Sequence, residues 1–244
     1  MTQVALIISH GQPSDPEPAE AELAHMAAKV AALLPGWRVG SATLAAAGSL
    51  ARAVAELGGD GRAYPLFMAG GWFTRVQLPA KLAEAGGPLW RVLEPLGCDP
   101  AVHDLAVRIV RDAGAEVGGA DRVLLAAHGS HQSRVPADIA CHVADLIERA
   151  TGVPAEARFI DQAPQLSGAA GFGPGSVCLP FFAAEGGHVT QDIPAALGVA
   201  GFQCRLLPAI GLHPDIAQII ARAIASGDPV CVGRCKWQSD GSSD

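Results

Sequence analysis

The sequence predicts an α/β protein built as two tandem homologous halves, each a small parallel sheet flanked by helices. Three observations lead there. Blocks of sequence recur in the same order along the 244 residues. Short apolar runs alternate with amphipathic stretches of helical length. The apolar runs are continuous rather than alternating, as in parallel strands covered on both faces.

The repeat sets the domain organisation. PLFMAGGWFTRVQLPAKL at 65–82 falls on PFFAAEGGHVTQDIPAAL at 180–197 with a shift of 115, which aligns Pro65 with Pro180, Gly71 with Gly186 and Pro79 with Pro194. VALIISHG at 4–11 matches VLLAAHGS at 123–130, with His10 on His128. SATLAAAGSL at 41–50 matches ARFIDQAPQL at 157–166, with Ala45 facing Asp161, and LEPLGCDPAV at 93–102 matches LPAIGLHPDI at 207–216. A duplication explains this order. It divides the chain into an N-terminal half, 1–118, and a C-terminal half, 119–244, with the Gly-rich GAEVGGA at 114–120 as the hinge.

The elements follow in turn. In the first half the apolar runs at 4–9, 37–44, 62–69 and 89–93 read as strands, and the amphipathic stretches at 17–34, 49–57, 75–85 and 100–113 read as helices. The second half repeats the series. Strands are expected at 122–127, 155–160, 176–182 and 204–207, and helices at 135–150, 164–170, 191–197 and 214–225. Strand and helix in alternation imply right-handed crossovers and an open parallel sheet. The polar end, 238–244, is expected to be disordered.

Composition narrows the function. At 50% apolar and 17% charged residues the chain has ample material for a core, and a net charge of −7 with no basic run argues against nucleic-acid binding. The N-terminus carries no charged leader and no apolar stretch is long enough to span a bilayer, so a soluble cytoplasmic protein with no membrane partner is expected. Six scattered cysteines read as reduced thiols, and Cys231 and Cys235 in CVGRC as free thiols of a tail.

In open parallel sheets ligands sit at the carboxyl ends of the strands. His128, Asp161 and the loop with Glu185, Gly186, Gly187 and His188 all fall on that edge of the second half. At the same positions the first half has His10, Ala45, Gly70 and Phe73. Two imidazoles and a carboxylate suit a divalent metal of borderline softness. His128, Asp161 and His188 would be the ligands, with positions left open for exchange. A neutral histidine also accepts protons near neutral pH, which makes His128 and His188 the candidate catalytic bases. Glu185 would orient the imidazole or relay a proton, and Gly186 and Gly187 would admit a flat ligand close to the backbone. His131 and Arg134 are expected to reach the same site, Arg134 as a partner for an acidic ligand, and His10 reads as a relic of the duplicated site or as a pocket-lining residue of the first half. His25, His103, His142 and His213 sit in helical stretches and carry no such signal. No P-loop, GxGxxG, GxSxG or HExxH is present.

HGS after a buried strand, an acidic residue closing the next strand, and PFFxxxGGHVxxDIP resemble the class II tetrapyrrole chelatases, the sirohydrochlorin cobalto- and ferrochelatases, in their long two-half form. The resemblance implies the chelatase-like, flavodoxin-type layering. It also implies ATP-independent insertion of Co²⁺ or Fe²⁺ into sirohydrochlorin or a related tetrapyrrole, a lyase reaction of cobalamin or siroheme biosynthesis. Carried over by motif, His128, His188 and Asp161 bind the metal and take the pyrrole protons; Asp161 is one methylene shorter than the family's usual glutamate. Arg134, Arg75 or Arg158 would hold the substrate carboxylates. No cofactor beyond the substrate metal is implied. The alternative on the same scaffold is a non-catalytic metal or tetrapyrrole carrier.

Overall fold

The computed structural model describes residues 2–58, 60–116, 119–203, 205–231 and 236–237. Parts of the expected hinge at 114–120, Cys204, Cys235 and the end at 238–244 lie outside the described residues.

The chain forms two compact units. In the first, strands β1 (Gln3–Ser9), β2 (Trp37–Thr43), β3 (Arg62–Pro65) and β4 (Arg91–Val92) make a parallel sheet in the order β2-β1-β3-β4. In the second, β5 (Val123–Ala127), β6 (Ala155–Phe159), β7 (Val177–Pro180) and β8 (Arg205–Leu206) make a parallel sheet in the order β6-β5-β7-β8. The same order in both units is the structural counterpart of the repeat. The helices are α1 (Pro16–Leu33), α2 (Ser49–Leu57), α3 (Leu78–Glu84), α4 (Pro100–Glu116), α5 (Val135–Thr151), α6 (Ile193–Val199) and α7 (Ile216–Ser226).

Burial explains the continuous apolar strands. Every residue of β5 is buried, as is every residue of β7. Side chains alternate across a strand, so Leu124 and Ala126 pack with Ile193 and Leu197 of α6 in one cluster. Val123, Leu125 and Ala127 are left for the opposite face. In the first unit Val4, Leu6 and Ile8 of β1 pack with Val54 of α2 and with Leu78 and Leu82 of α3.

The sequence halves 1–118 and 119–244 remain the units of the repeat, but the compact units divide differently. The first comprises Met1–Leu96 with Pro214–Arg234, the second Gly97–His213 with Cys235–Asp244. Helix α4, written in the first half, packs against α5 and β7; α7, written in the second, packs against α1 and β3.

Two local expectations are corrected. The helix at 164–170 is a single 3₁₀ turn, Leu166–Gly168. Gly168 lies within the segment and Gly171, Gly173, Pro174 and Gly175 follow directly, so it lacks the backbone preference that carries α2 in the first half and cannot extend. The helices expected at 75–85 and 191–197 each begin earlier, in a π-turn at Phe73–Gln77 and at His188–Asp192. Pro79 and Pro194 explain both turns. Proline has no N–H to give residue i−4, and its ring crowds that carbonyl. The turn widens, and the amides of Leu78 and Ile193 reach back five residues to the carbonyls of Phe73 and His188.

No helix among the described residues is long and apolar enough to cross a membrane. His103 on α4 is buried; its Nε2 lies 2.8 Å from the Gly97 carbonyl, and its ring meets His142 at a tilt and Trp237 edge-on, at 5.4 and 4.8 Å between centroids.

Two predictions concern stability. Leu124→Ala, at a fully buried strand position, should cost about 2–5 kcal/mol, read by denaturant unfolding. Burial pushes the His103 pKa down from 6.5 to about 4, with His142 and Lys236 adding repulsion, against the Gly97 hydrogen bond and Asp104. The fold therefore holds the neutral ring. This contribution is complete above pH 6.5 and is lost as the pH falls through about 4. The unfolding midpoint of the wild type should drop more steeply across that window than that of His103→Gln.

Candidate functional site

The second unit's site is assembled by main-chain hydrogen bonds that continue the sheet past its strand ends. Ala127 on β5 pairs with Phe159 on β6. The amide of Ile160 then donates to the Ala127 carbonyl at 3.1 Å, and the amide of Asp161 to the His128 carbonyl at 3.0 Å. On the other side of β5 the Phe181 amide donates to the Ala126 carbonyl at 2.7 Å. Strand order reverses at β5, with β6 on one flank and β7 on the other, so the loops after β5 and β7 meet at the switch point where such sheets bind ligands.

The loop after β5 turns at Gly129, whose φ of +75° is left-handed. A Cβ there would stand 2.6 Å from Cγ of Gln162 and 3.0 Å from Cβ of Phe159, so only glycine fits. The Gln162 side chain in turn accepts the Ser130 amide at 2.7 Å, and the Ser130 hydroxyl accepts the amides of Gln132 and Ser133. This holds His128 at the strand end. The loop after β7 leads to the π-turn, whose first residue is His188; the Gly186 carbonyl anchors the turn by accepting the amides of Val189 and Thr190 at 2.9 and 3.0 Å.

The two histidines meet. Their Nε2 atoms are 3.1 Å apart, their ring centroids 4.5 Å apart, and the planes nearly perpendicular at 89°. Phe182 lies beside both, at 6.5 Å from His128 and 6.4 Å from His188. Each Nδ1 faces away from the pair. That of His128 is 3.0 Å from the Gly129 carbonyl and that of His188 is 2.7 Å from Oδ2 of Asp192. A carbonyl and a carboxylate only accept, so both Nδ1 atoms carry hydrogen. With hydrogen on both Nδ1 atoms, both Nε2 atoms of the neutral rings are acceptors 3.1 Å apart, an arrangement that a cation bound by both would satisfy. Two bonds of about 2.0–2.1 Å to one metal, meeting at about 95–110°, place their nitrogens about 3.0–3.4 Å apart. The observed separation fits that chord.

Asp161 stands beside His128. Its Oδ2 lies 3.4 Å from Nδ1 of His128, the nitrogen turned away from His188. The ladder bond from its own amide to the His128 carbonyl sets it alongside that residue, behind the pair. Among the described residues no three His, Cys, Asp or Glu side chains gather around one ion. The site is thus two nitrogen donors backed by two carboxylates, all four side chains between 40% and 50% exposed.

The other expected residues fall as follows. His131 and Arg134 are exposed on the loop between β5 and α5. Glu185 is exposed and is not the partner of His188; Asp192 holds that place. A Cβ on Gly186 or Gly187 would meet no atom within 4 Å, so the surface over this loop is open. The Arg158 guanidinium donates to Glu156 at 2.7 Å and to the Gly168 carbonyl at 3.0 Å, closing the 3₁₀ turn. Arg75 stands in the π-turn of the first unit. The Cys231 amide and thiol contact the Glu94 carboxylate at 3.2 and 3.3 Å.

The first unit repeats the frame without the donors. The Ala45 amide donates to the His10 carbonyl at 2.9 Å, as Asp161 does to His128. His10 meets Phe73 edge-on at 6.2 Å, where His128 meets His188. At the shift of 115 Gln77 stands where Asp192 does. Sequence reasoning missed Asp192, although two signals were available: its spacing of four from His188, and its replacement in the same copy that lost the histidine.

A family model described as CbiX matches residues 122–226. A solved structure of CbiX, described as the terminal enzyme for biosynthesis of siroheme in denitrifying bacteria, is 41% identical, covering 92% of this chain and 99% of that one, with a TM-score of 0.86. SirB from Bacillus subtilis with Fe³⁺ shares the fold at 17% identity, covering 98% of this chain and 100% of that one, with a TM-score of 0.69. The sirohydrochlorin chelatase SirB from Bacillus subtilis subspecies spizizenii in complex with cobalt does so at 16% identity, covering 93% and 95%, with a TM-score of 0.65. Curated protein sequences gave no match. Identity and coverage at the level of the CbiX structure, with the family match over residues 122–226, establish that this chain belongs to the CbiX family of chelatases.

Proposed function

We propose that this protein inserts a divalent metal, Co²⁺ or Fe²⁺, into sirohydrochlorin or a closely related tetrapyrrole without ATP, as a step of cobalamin or siroheme biosynthesis. Family membership supports the substrate class, and the single observation that carries the chemistry is the pair of facing Nε2 atoms at 3.1 Å.

In the proposed reaction the metal enters as substrate and is held by Nε2 of His128 and of His188. Two nitrogen donors grip less firmly than the four of a closed structural site, which lets the ion leave. The tetrapyrrole lies over the open loop at Gly186 and Gly187, with Arg134 the cationic side chain suited to its carboxylates. Two N–H bonds of the ring must break, releasing two protons, as the ion bonds to its four nitrogens. As the ion passes into the ring each freed imidazole accepts one proton, and both protons then pass to water. The products are the metallated ring and two protons. Asp161 keeps a negative charge beside the protonated His128, and Asp192 does the same for His188.

The test mixes protein, excess sirohydrochlorin and Co²⁺ and follows the absorption spectrum. The wild type should turn over many times; a carrier would stop at one equivalent. His128→Ala and His188→Ala should each lower the insertion rate by about 10²–10⁴-fold. A wild-type rate in either variant refutes the assignment.

A further inference from the structure

We infer that Asp192 is a positioning residue that prepares His188 to receive the metal. The inference rests on the chelatase reading and deepens it. The carboxylate accepts the Nδ1 hydrogen of His188 at 2.7 Å, which fixes the tautomer and leaves the Nε2 lone pair on the side of His128. The π-turn supplies the geometry. Pro194 forces the wide turn, and the turn sets residues 188 and 192 one above the other on a face that both side chains share.

Stability does not account for the contact. The two side chains are 47% and 50% exposed, and an ion pair that open to water contributes little to folding. The first unit makes the same π-turn with Phe73 and Gln77 in these places, so the turn forms without either group. The histidine and its aspartate are present together in one copy and absent together from the other, as expected if the carboxylate serves the imidazole. His128 reaches the same orientation by another route, through the Gly129 carbonyl. Each ring is held from behind, one by main chain and one by Asp192. Removal of the carboxylate therefore frees His188 alone.

The experiment is a titration of the full-length protein with Co²⁺, read by the visible absorption of the bound ion, for the wild type, Asp192→Asn, Asp192→Ala and His188→Ala. Asp192→Ala should weaken Co²⁺ binding about 10–100-fold. Asp192→Asn, which keeps an acceptor oxygen without the charge, should lose less. Both should bind sirohydrochlorin as tightly as the wild type and unfold at the wild-type temperature. A loss confined to the metal and graded from Asn to Ala is not what a general structural defect produces. Wild-type Co²⁺ affinity in Asp192→Ala overturns the inference, and so does a loss of sirohydrochlorin binding equal to the loss of metal binding. A wild type that binds Co²⁺ in an Asp192-dependent way yet never metallates sirohydrochlorin would refute the chelatase reading and uphold the positioning role.

Discussion

The site depends on one main-chain contact, the Asp161 amide donating to the His128 carbonyl just beyond the last paired residues of β5 and β6. It carries the parallel register one step past the strands and thereby decides where the His128 ring begins. Slippage by a single residue would turn that side chain to the other face of the sheet. The matching bond from Phe181 to Ala126 fixes β7 on the other flank and so fixes the start of the loop that ends at His188. Two residues 60 positions apart in sequence are brought to 3.1 Å by backbone geometry, with side-chain contacts adjusting only the final orientation.

Duplication makes this division of labour visible. Both units form the ladder extension, the π-turn and the aromatic residue after β3 or β7, Phe67 in one and Phe182 in the other. These belong to the frame. What differs is the set of groups placed on it. A phenyl ring, a methyl group and an amide in the first unit stand where an imidazole and two carboxylates stand in the second. The first unit keeps Trp72 and Val76 more than half exposed around that phenyl ring, an apolar surface with no metal chemistry.

Much of this was legible in the sequence because the relevant signals were local or repeated. The central strands β1, β5 and β7 read true because their apolar runs are continuous, whereas β2, β6 and β8 carry polar residues and are only partly covered. His128 and His188 stood out because the repeat supplied a comparison at each position. The rest needed three dimensions. The expected helix at 164–170 failed because Gly168 and the Gly/Pro run at 171–175 just beyond it outweigh a short apolar pattern. Arg158 resembled a ligand-binding cation, yet its guanidinium satisfies the carbonyls of that same 3₁₀ turn. Asp161 sits at the expected strand end, but which nitrogen of His128 it faces depends on the ladder bond, which sequence spacing does not encode. Asp192 went unread because its pairing with His188 depends on the π-turn, which sets residues four apart side by side.

The crossing over of the last helix in each repeat alters what it means for a residue to be near the loops after β5 and β7. Val102, Leu105 and Ala106 of α4 are encoded in the copy that has lost the donors, yet they are buried in the unit that retains them. The ancestral copies are consequently no longer independent tenants of their own stretches of chain. Each has become a wall in the other's house, and drift in the silent copy is felt by the working one.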